Sequence, residues 1–294
     1  MRHGLFMRLS AVVLGLAILF FGILAGSVLL SGKAMRTAQM TLPQPHRAIY
    51  DLELDHASGA SGIVSLDGRM VVEWRGGAAC DGFTSEQRVV TRTRDDQGVT
   101  SMSDVRLSTW ESLDGNEFRY DRGEYLDGEL AAHEFGVAKR QDGVVVLVPD
   151  EGETIELPAK VMFPSAYNAA LVKAMRKGSR SLVAILFDGA QSSASDVTAF
   201  LGAPKSANNG AVKTSIKHAD RGVALSDMQP QLVHMSYFDS DGAHEMKTAD
   251  APPNFEMDYQ LFPNGVMDQL KLSYGDVVIG GTMKSLEYFP SGGC

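Results

Sequence analysis

The chain has 294 residues, 44% hydrophobic and 21% charged, with a formal net charge of −9. The first 40 residues hold four bases and no acid, so residues 41–294 carry 23 bases against 36 acids, a net of −13. A body so acidic repels phosphates instead of releasing their counterions, which argues against nucleic-acid binding.

From Leu9 to Gly32 the sequence is uncharged and mostly apolar, with Arg2 and Arg8 before it. At about 1.5 Å per residue such a helix would cross a bilayer core roughly 30 Å thick. Two readings stand. One is a signal peptide cut near Ala25 and Ser27 or near Gly32 and Ala34. The other is an uncleaved anchor. Both put the body outside the cytoplasm, because the arginines stay inside. No cysteine lies near the end of the run, so a lipoprotein anchor is not expected. Residues 1–40 are read as this segment with a spacer, and 41–294 as one domain.

The folded body is expected to begin near His46. Ala48, Tyr50, Leu52 and Leu54 alternate with Asp51 and Glu53, the period of a half-buried strand. Gly62–Leu66 and Met70–Trp74 flank Asp67-Gly68, which reads as a hairpin turn. Asp114-Gly115, Asp127-Gly128, Asp142-Gly143, Asp241-Gly242 and Asn264-Gly265 repeat that punctuation between strand-like runs at 99–110, 117–120, 144–148, 233–238 and 266–274. Such density of short alternating runs predicts a mainly β fold, an antiparallel barrel, sandwich or curled sheet. Helices between most strand pairs, which a βαβ fold needs, are missing.

One helix is predicted after Pro164. Ser165 would cap it, Tyr167, Ala170, Leu171, Ala174 and Met175 would form its apolar stripe, and Gly178 would end it. A second short helix is predicted from Ser195 to Leu201, stopped by Gly202 and Pro204. Residues 203–222 read as a loop or weak hairpin.

The chain has two cysteines, Cys80 and Cys294. Behind an export segment they read as one disulfide tying the C-terminus to the first third of the body. Closing that loop would stabilise the fold by roughly 5 kcal/mol at most. The alternative is two unrelated thiols.

Candidate chemistry is sparse. None of the seven histidines is paired at metal-ligand spacing, so no metal is expected. Asp239-Ser240-Asp241-Gly242 starts like a calcium loop but lacks its closing glutamate. Nucleophile-elbow serines and glycine-rich phosphate loops are absent, so neither a hydrolase of that type nor a nucleotide or other cofactor is expected. Ser192, Ser193 and Ser195 are explained by helix capping. Asp51, Glu53, Glu73, Glu111 and Asp114 leave open a glycosidase-type carboxylate pair. Trp74 and Trp110 are expected in the core.

Taken together, several short motifs resemble the EipB-like periplasmic proteins of alphaproteobacteria, long catalogued as a domain of unknown function. They are His46-Arg47-Ala48 with Tyr50, Ser61-Gly62, Cys80-Asp81-Gly82 with Gln87-Arg88, and Thr109-Trp110-Glu111-Ser112 with Asp114-Gly115. Further on come Leu157-Pro158, Phe163-Pro164, Phe187-Asp188-Gly189, Asn264-Gly265-Val266, Tyr274-Gly275-Asp276 and Cys294. Phe83 departs from the tryptophan more usual in the family, and the apolar N-terminus is long. The resemblance implies a curled or spiral antiparallel sheet, open and barrel-like, with one or two short helices. It also implies a disulfide between Cys80 and Cys294 and a role in keeping the cell envelope intact, with no enzymatic activity. Protein or lipid contacts are the partners this implies. An apolar cavity carrying lipid is the alternative, and an envelope-polymer hydrolase ranks behind both.

Overall fold

The structure, a computed structural model, describes residues 44–77, 80–204, 224–239 and 252–290. The apolar N-terminal run, Asp241-Gly242, nearly all of 203–222 and Cys294 lie outside these residues. Eight strands come first: β1 (His46–Ala57), β2 (Ile63–Gly76), β3 (Gly82–Asp95), β4 (Thr100–Ser112), β5 (Glu117–Leu126), β6 (Glu129–Gln141), β7 (Val144–Pro149) and β8 (Ile155–Leu157). The helix α1 (Pro164–Arg176) follows. Then come β9 (Ser181–Leu186), β10 (Ser195–Pro204), β11 (Gln231–Asp239), β12 (Phe255–Leu261), β13 (Met267–Tyr274) and β14 (Val277–Tyr288).

All fourteen strands form one antiparallel sheet in the order β8-β7-β6-β5-β4-β3-β2-β1-β14-β13-β12-β11-β10-β9. Two meanders are therefore joined at their outer members in sequence. β1 and β14 pair at the centre, His46 opposite Tyr288 and Ala57 opposite Val277. The sheet is not closed, as the curled-sheet expectation required. Its edges approach where the chain leaving β8 runs beside β9. There the Met162 amide donates to the Ile185 carbonyl at 2.7 Å, and the Phe187 amide donates to the Met162 carbonyl at 3.0 Å.

Alternation puts one side of each strand inside. Ala48, Tyr50 and Leu52 are buried with Met70, Val72 and Trp74 in the larger core. A smaller core gathers Leu107, Phe118, Tyr120, Leu147, Phe163 and Phe187. There Phe118 stacks on Phe163 at 5.3 Å and meets the edge of Phe187 at 5.7 Å.

Two local expectations are corrected. Asp67-Gly68 is no turn. β2 runs through it, with Gly68 opposite Leu52 on one side and Thr91 on the other. A Cβ there would stand 2.3 Å from the Val90 carbonyl oxygen, so the glycine permits close approach of two strands. The link between β1 and β2 is instead the short 3₁₀ turn Gly59–Ser61. The second correction is Ser195–Leu201, which is strand β10 and not a helix. It pairs with both β9 and β11, and Val197, Ala199 and Leu201 are buried. Period-two burial with Val, Thr and Phe favours a strand, and Gly202 and Pro204 end that strand as readily as a helix. Ser192, Ser193 and Ser195 consequently cap no helix.

Helix α1 is found where predicted, with Tyr167, Leu171 and Ala174 buried. Its start differs from expectation. Phe163 is the N-cap and makes no side-chain capping bond, while Pro164 takes the first position, where its missing N–H costs nothing. Gly178 ends it at φ 67°, with its amide on the Met175 carbonyl and the Ser179 amide on that of Ala174.

Candidate functional site

Helix α1 is fixed across the interior by a carboxylate from the sheet. Glu111 on β4 points inward and accepts hydrogen bonds from the Ser165 amide, at 2.9 Å, and from the Ser165 hydroxyl. A negative group at the N-terminal turn of a helix suits both its unpaired amides and its dipole. Burial nevertheless pushes the Glu111 carboxyl up to about 7, against the pull of the Ser165 bonds and the nearby Arg140 charge. Arg140 spans the same corner. It donates to the carbonyls of Gly115, Ala159 and Val161 and lies 5.0 Å over the Phe163 ring.

A second constellation sits on the inner face of β11–β13 and the loop after β9. Tyr237 is opposite Phe255, their rings 5.3 Å apart, and Phe255 lies 4.7 Å from the ring of Tyr274. Tyr167 comes from α1. The hydroxyls of Tyr167, Tyr237 and Tyr274 are buried and bonded to nothing, while that of Tyr259 reaches the Met235 sulfur at 3.2 Å. Asp188 belongs to the same neighbourhood, since burial first and then the Asp188 charge raise the Tyr237 phenol well above its usual range. Burial pushes the Asp188 carboxyl up to about 6, opposed by the Ala190 amide, by its own amide and by Arg122. Arg122 itself is committed to the Ala190 carbonyl at 2.6 Å and to Glu134 at 3.0 Å, and Glu134 also accepts from Tyr120.

On the outer face, His234 stands between carboxylates. Its Nδ1 lies 2.9 Å from Asp258, and its Nε2 lies 3.3 Å from both Glu256 and the Ser236 hydroxyl. The order of groups is that of a serine hydrolase, but Glu256 competes for the histidine. Ser236 also lies mid-strand between Thr198 and Glu256, where the backbone amides are taken up by the ladder and offer no paired oxyanion donors.

The residues singled out in the sequence scatter. Asp51 and Glu53 line one shallow outer groove with Asp67, Arg69 and Arg92. Arg69 donates to Asp51 and holds its carboxyl below the usual range. Glu73 pairs with Arg47 and Arg75, and Asp114 builds a turn with Ser112 and Asn116. A glycosidase acid needs a raised carboxyl beside a second one, and the raised Glu111 stands on the opposite face from that groove. Trp74 is buried against Phe83 as expected. Trp110 is not core: it is half-buried on the outer face beneath the Arg119 guanidinium, 4.6 Å from its ring. Sequence reasoning missed the tyrosine group altogether. Of its members, Tyr167 was read only as part of the helix's apolar stripe, and Tyr274 and Asp188 only within the quoted Tyr274-Gly275-Asp276 and Phe187-Asp188-Gly189.

The comparisons agree with this architecture. The family described as EipB-like matches residues 37–290. The chain is 30% identical over 291 residues to the cell envelope integrity protein EipB of Brucella abortus (strain 2308), covering 98% of this chain and 96% of that one. It also resembles a crystal structure from Brucella abortus titled as a beta-barrel-like protein of a domain of unknown function, DUF1849. The TM-score is 0.72 and the identity 30%, over 84% of this chain and 98% of that chain. With a match across nearly the whole sequence and the same curled sheet, the chain belongs to the EipB-like family.

Proposed function

We propose that this chain is a non-enzymatic factor of the periplasm that supports the integrity of the cell envelope through contacts with protein or lipid partners. The observation that carries this reading is the likeness to the Brucella envelope integrity protein over 98% of the chain. The apolar run at 9–32 supports export, either cleaved or retained as a tether. Deleting the gene and challenging cells with detergent or a cell-wall antibiotic tests it. Sensitised cells, rescued by the gene in trans, are expected; unchanged survival counts against it.

A Cys80–Cys294 disulfide belongs to the same reading. The Phe289 ring lies 3.8 Å beneath the Arg75 guanidinium, and the Phe289 amide donates to the Pro45 carbonyl. Arg75, five residues before Cys80, and Phe289, five residues before Cys294, are thus neighbours. Cys294 follows Pro290 by four positions, a reach of about 14 Å when extended. A lipid carrier is the second reading, favoured by an apolar inner face with α1 laid across it. Native mass spectrometry of protein purified from membrane-containing cells separates the two, because a carrier retains acyl-chain adducts.

A further inference from the structure

Strand β6 is 13 residues long and pairs with β5 from end to end, but β7 covers only its second half. The last pair with β7 is Gly136 opposite Pro149, and residues 129–134 run on with β5 alone beside them. Phe135 marks where the row of β7 ends. Its carbonyl accepts from the Asp150 amide and its amide donates to the Asp150 carboxylate, so both of its main-chain groups turn away from β5. Alternation gives His133, two residues earlier, the same direction. At the other end, Asp127-Gly128 is a two-residue turn with both φ positive, which makes Leu126 and Glu129 the bonded pair across it and turns Leu130 outward. Ala131 is the extra residue of a bulge between them, which keeps the open run short. Among the described residues nothing pairs with this run on its outward side, and residues 129–133 are all exposed.

We propose that this open run of β6 binds a short extended segment of a partner protein, one in which apolar residues alternate with lysine or arginine. The segment lies in the row that β7 vacates, bonded to the outward groups of Leu130 and His133. It is one of the protein contacts proposed for envelope integrity, and the inference rests on that reading. Two features set the chemistry of the segment. The outer face beside the run is apolar: Leu130 is 58%, Phe135 48% and Val148 of β7 52% exposed. Leu130 stands opposite Tyr125, and the Phe135 ring lies 5.7 Å from that of His133. Alternate side chains of a docked strand fall on that shelf. The surroundings are acidic. No lysine or arginine stands between Arg122 and Lys139 or between Arg140 and Lys160, whereas Asp127, Glu129, Asp150, Glu151 and Glu153 are exposed there. Cations on the segment complement this rim. A second copy of the chain is the poorer occupant, because an antiparallel self-pairing centred on Ala131 and Ala132 sets Glu129 against Glu134. An anionic lipid surface is repelled by the same carboxylates.

Three short capped peptides test this on the purified protein at physiological salt. One alternates lysine with valine, the second alternates glutamate with valine, and the third is the lysine peptide with prolines in place of valines, which keeps the charge and cannot pair. Fluorescence anisotropy is expected to give the lysine–valine peptide an affinity at least tenfold above either of the others. Hydrogen exchange is expected to slow within residues 129–135 when it binds. Glu129→Lys combined with Glu151→Lys changes two exposed side chains and is expected to fold as the parent does while weakening the peptide at least tenfold. His133→Pro removes an outward amide and is expected to abolish the exchange protection; should it not fold, the lysine variant decides. Equal affinity for the proline or glutamate peptide, no binding, protection elsewhere in the sheet, or undiminished binding by the lysine variant overturns the proposal. So does a dimer built through residues 129–135, or capture by anionic phospholipid vesicles in place of the peptide. Envelope sensitivity of the deletion strain is a separate readout, so either conclusion can fail without the other.

Discussion

Glu111 and His46 make the stability of this fold depend on pH in opposite senses. Glu111 is disfavoured as a carboxylate inside, its pKa raised from an ordinary 4.5 to about 7. Its contribution is fully present below about 4.5 and is lost as pH rises to about 7, a loss of up to about 3 kcal/mol for a shift of this size. Glu111→Gln keeps an acceptor for Ser165 and removes the titration. Relative to the parent, it is expected to gain stability between pH 5 and pH 8 in urea unfolding; parallel profiles would refute the assignment. His46 is held neutral by burial, its pKa lowered from 6.5 to about 4 despite the bond to the Gln44 carbonyl. Its contribution is present above about 6.5 and is lost as pH falls to about 4. His46→Gln is accordingly expected to flatten the acid limb of the stability curve, and an unchanged limb would exclude His46 as its source. Neither effect was legible in the sequence. Glu111 was one acid among 36; the alternation of β4 puts it inward with Val105, Leu107 and Thr109, and only the docking of α1 gives it Ser165 as a partner.

At the scale of elements, two glycines separate conformational from steric demands. Gly178 ends α1 at φ 67° with open space where a Cβ would go, so Gly178→Ala is expected to lose about 1 kcal/mol from backbone strain alone. Gly68 has ordinary strand geometry but no room. Its alanine variant must push β3 backbone aside and is expected to lose more, about 2–3 kcal/mol. Chemical denaturation of both variants tests the ranking, and a Gly68→Ala protein no weaker than Gly178→Ala would restore the turn reading. The sequence supplied the strands because alternation such as Ala48, Tyr50, Leu52 survives in the burial pattern, and it supplied turns such as Asp127-Gly128 and Asp142-Gly143. It misplaced β10 because a seven-residue run closed by Gly202 and Pro204 satisfies either period. The tyrosine group stayed hidden for a different reason. Tyr167, Tyr237 and Tyr274 come from separate segments, and each alone looks like an inward-facing core aromatic. Strand register places Tyr237 and Tyr274, and the docking of α1 places Tyr167.

Across the whole molecule, the first and last strands pair in the middle of the sheet, so a bond from Cys80 to Cys294 would lock a seam already zipped by β1 and β14. Cys80→Ser or Cys294→Ser is expected to lower stability by a few kcal/mol with little change in circular dichroism. Equal melting temperatures with and without reductant would show the bond absent or irrelevant. The meeting of Met162 with β9 has a consequence for recognition. Beside β7 the sheet ends in β8, three residues long, and on the other margin Ile185 and Phe187 are already engaged, which leaves four residues of β9 ahead of them. The end strands thus give an incoming peptide few main-chain groups, and the longer open run is on β6, where residues 129–134 extend past the last pair with β7, so β-augmentation would have to use that stretch. Among the described residues, a partner that meets the β8 or β9 margin must grip side chains on a face, and stacking of copies margin to margin is confined to the open stretch of β6.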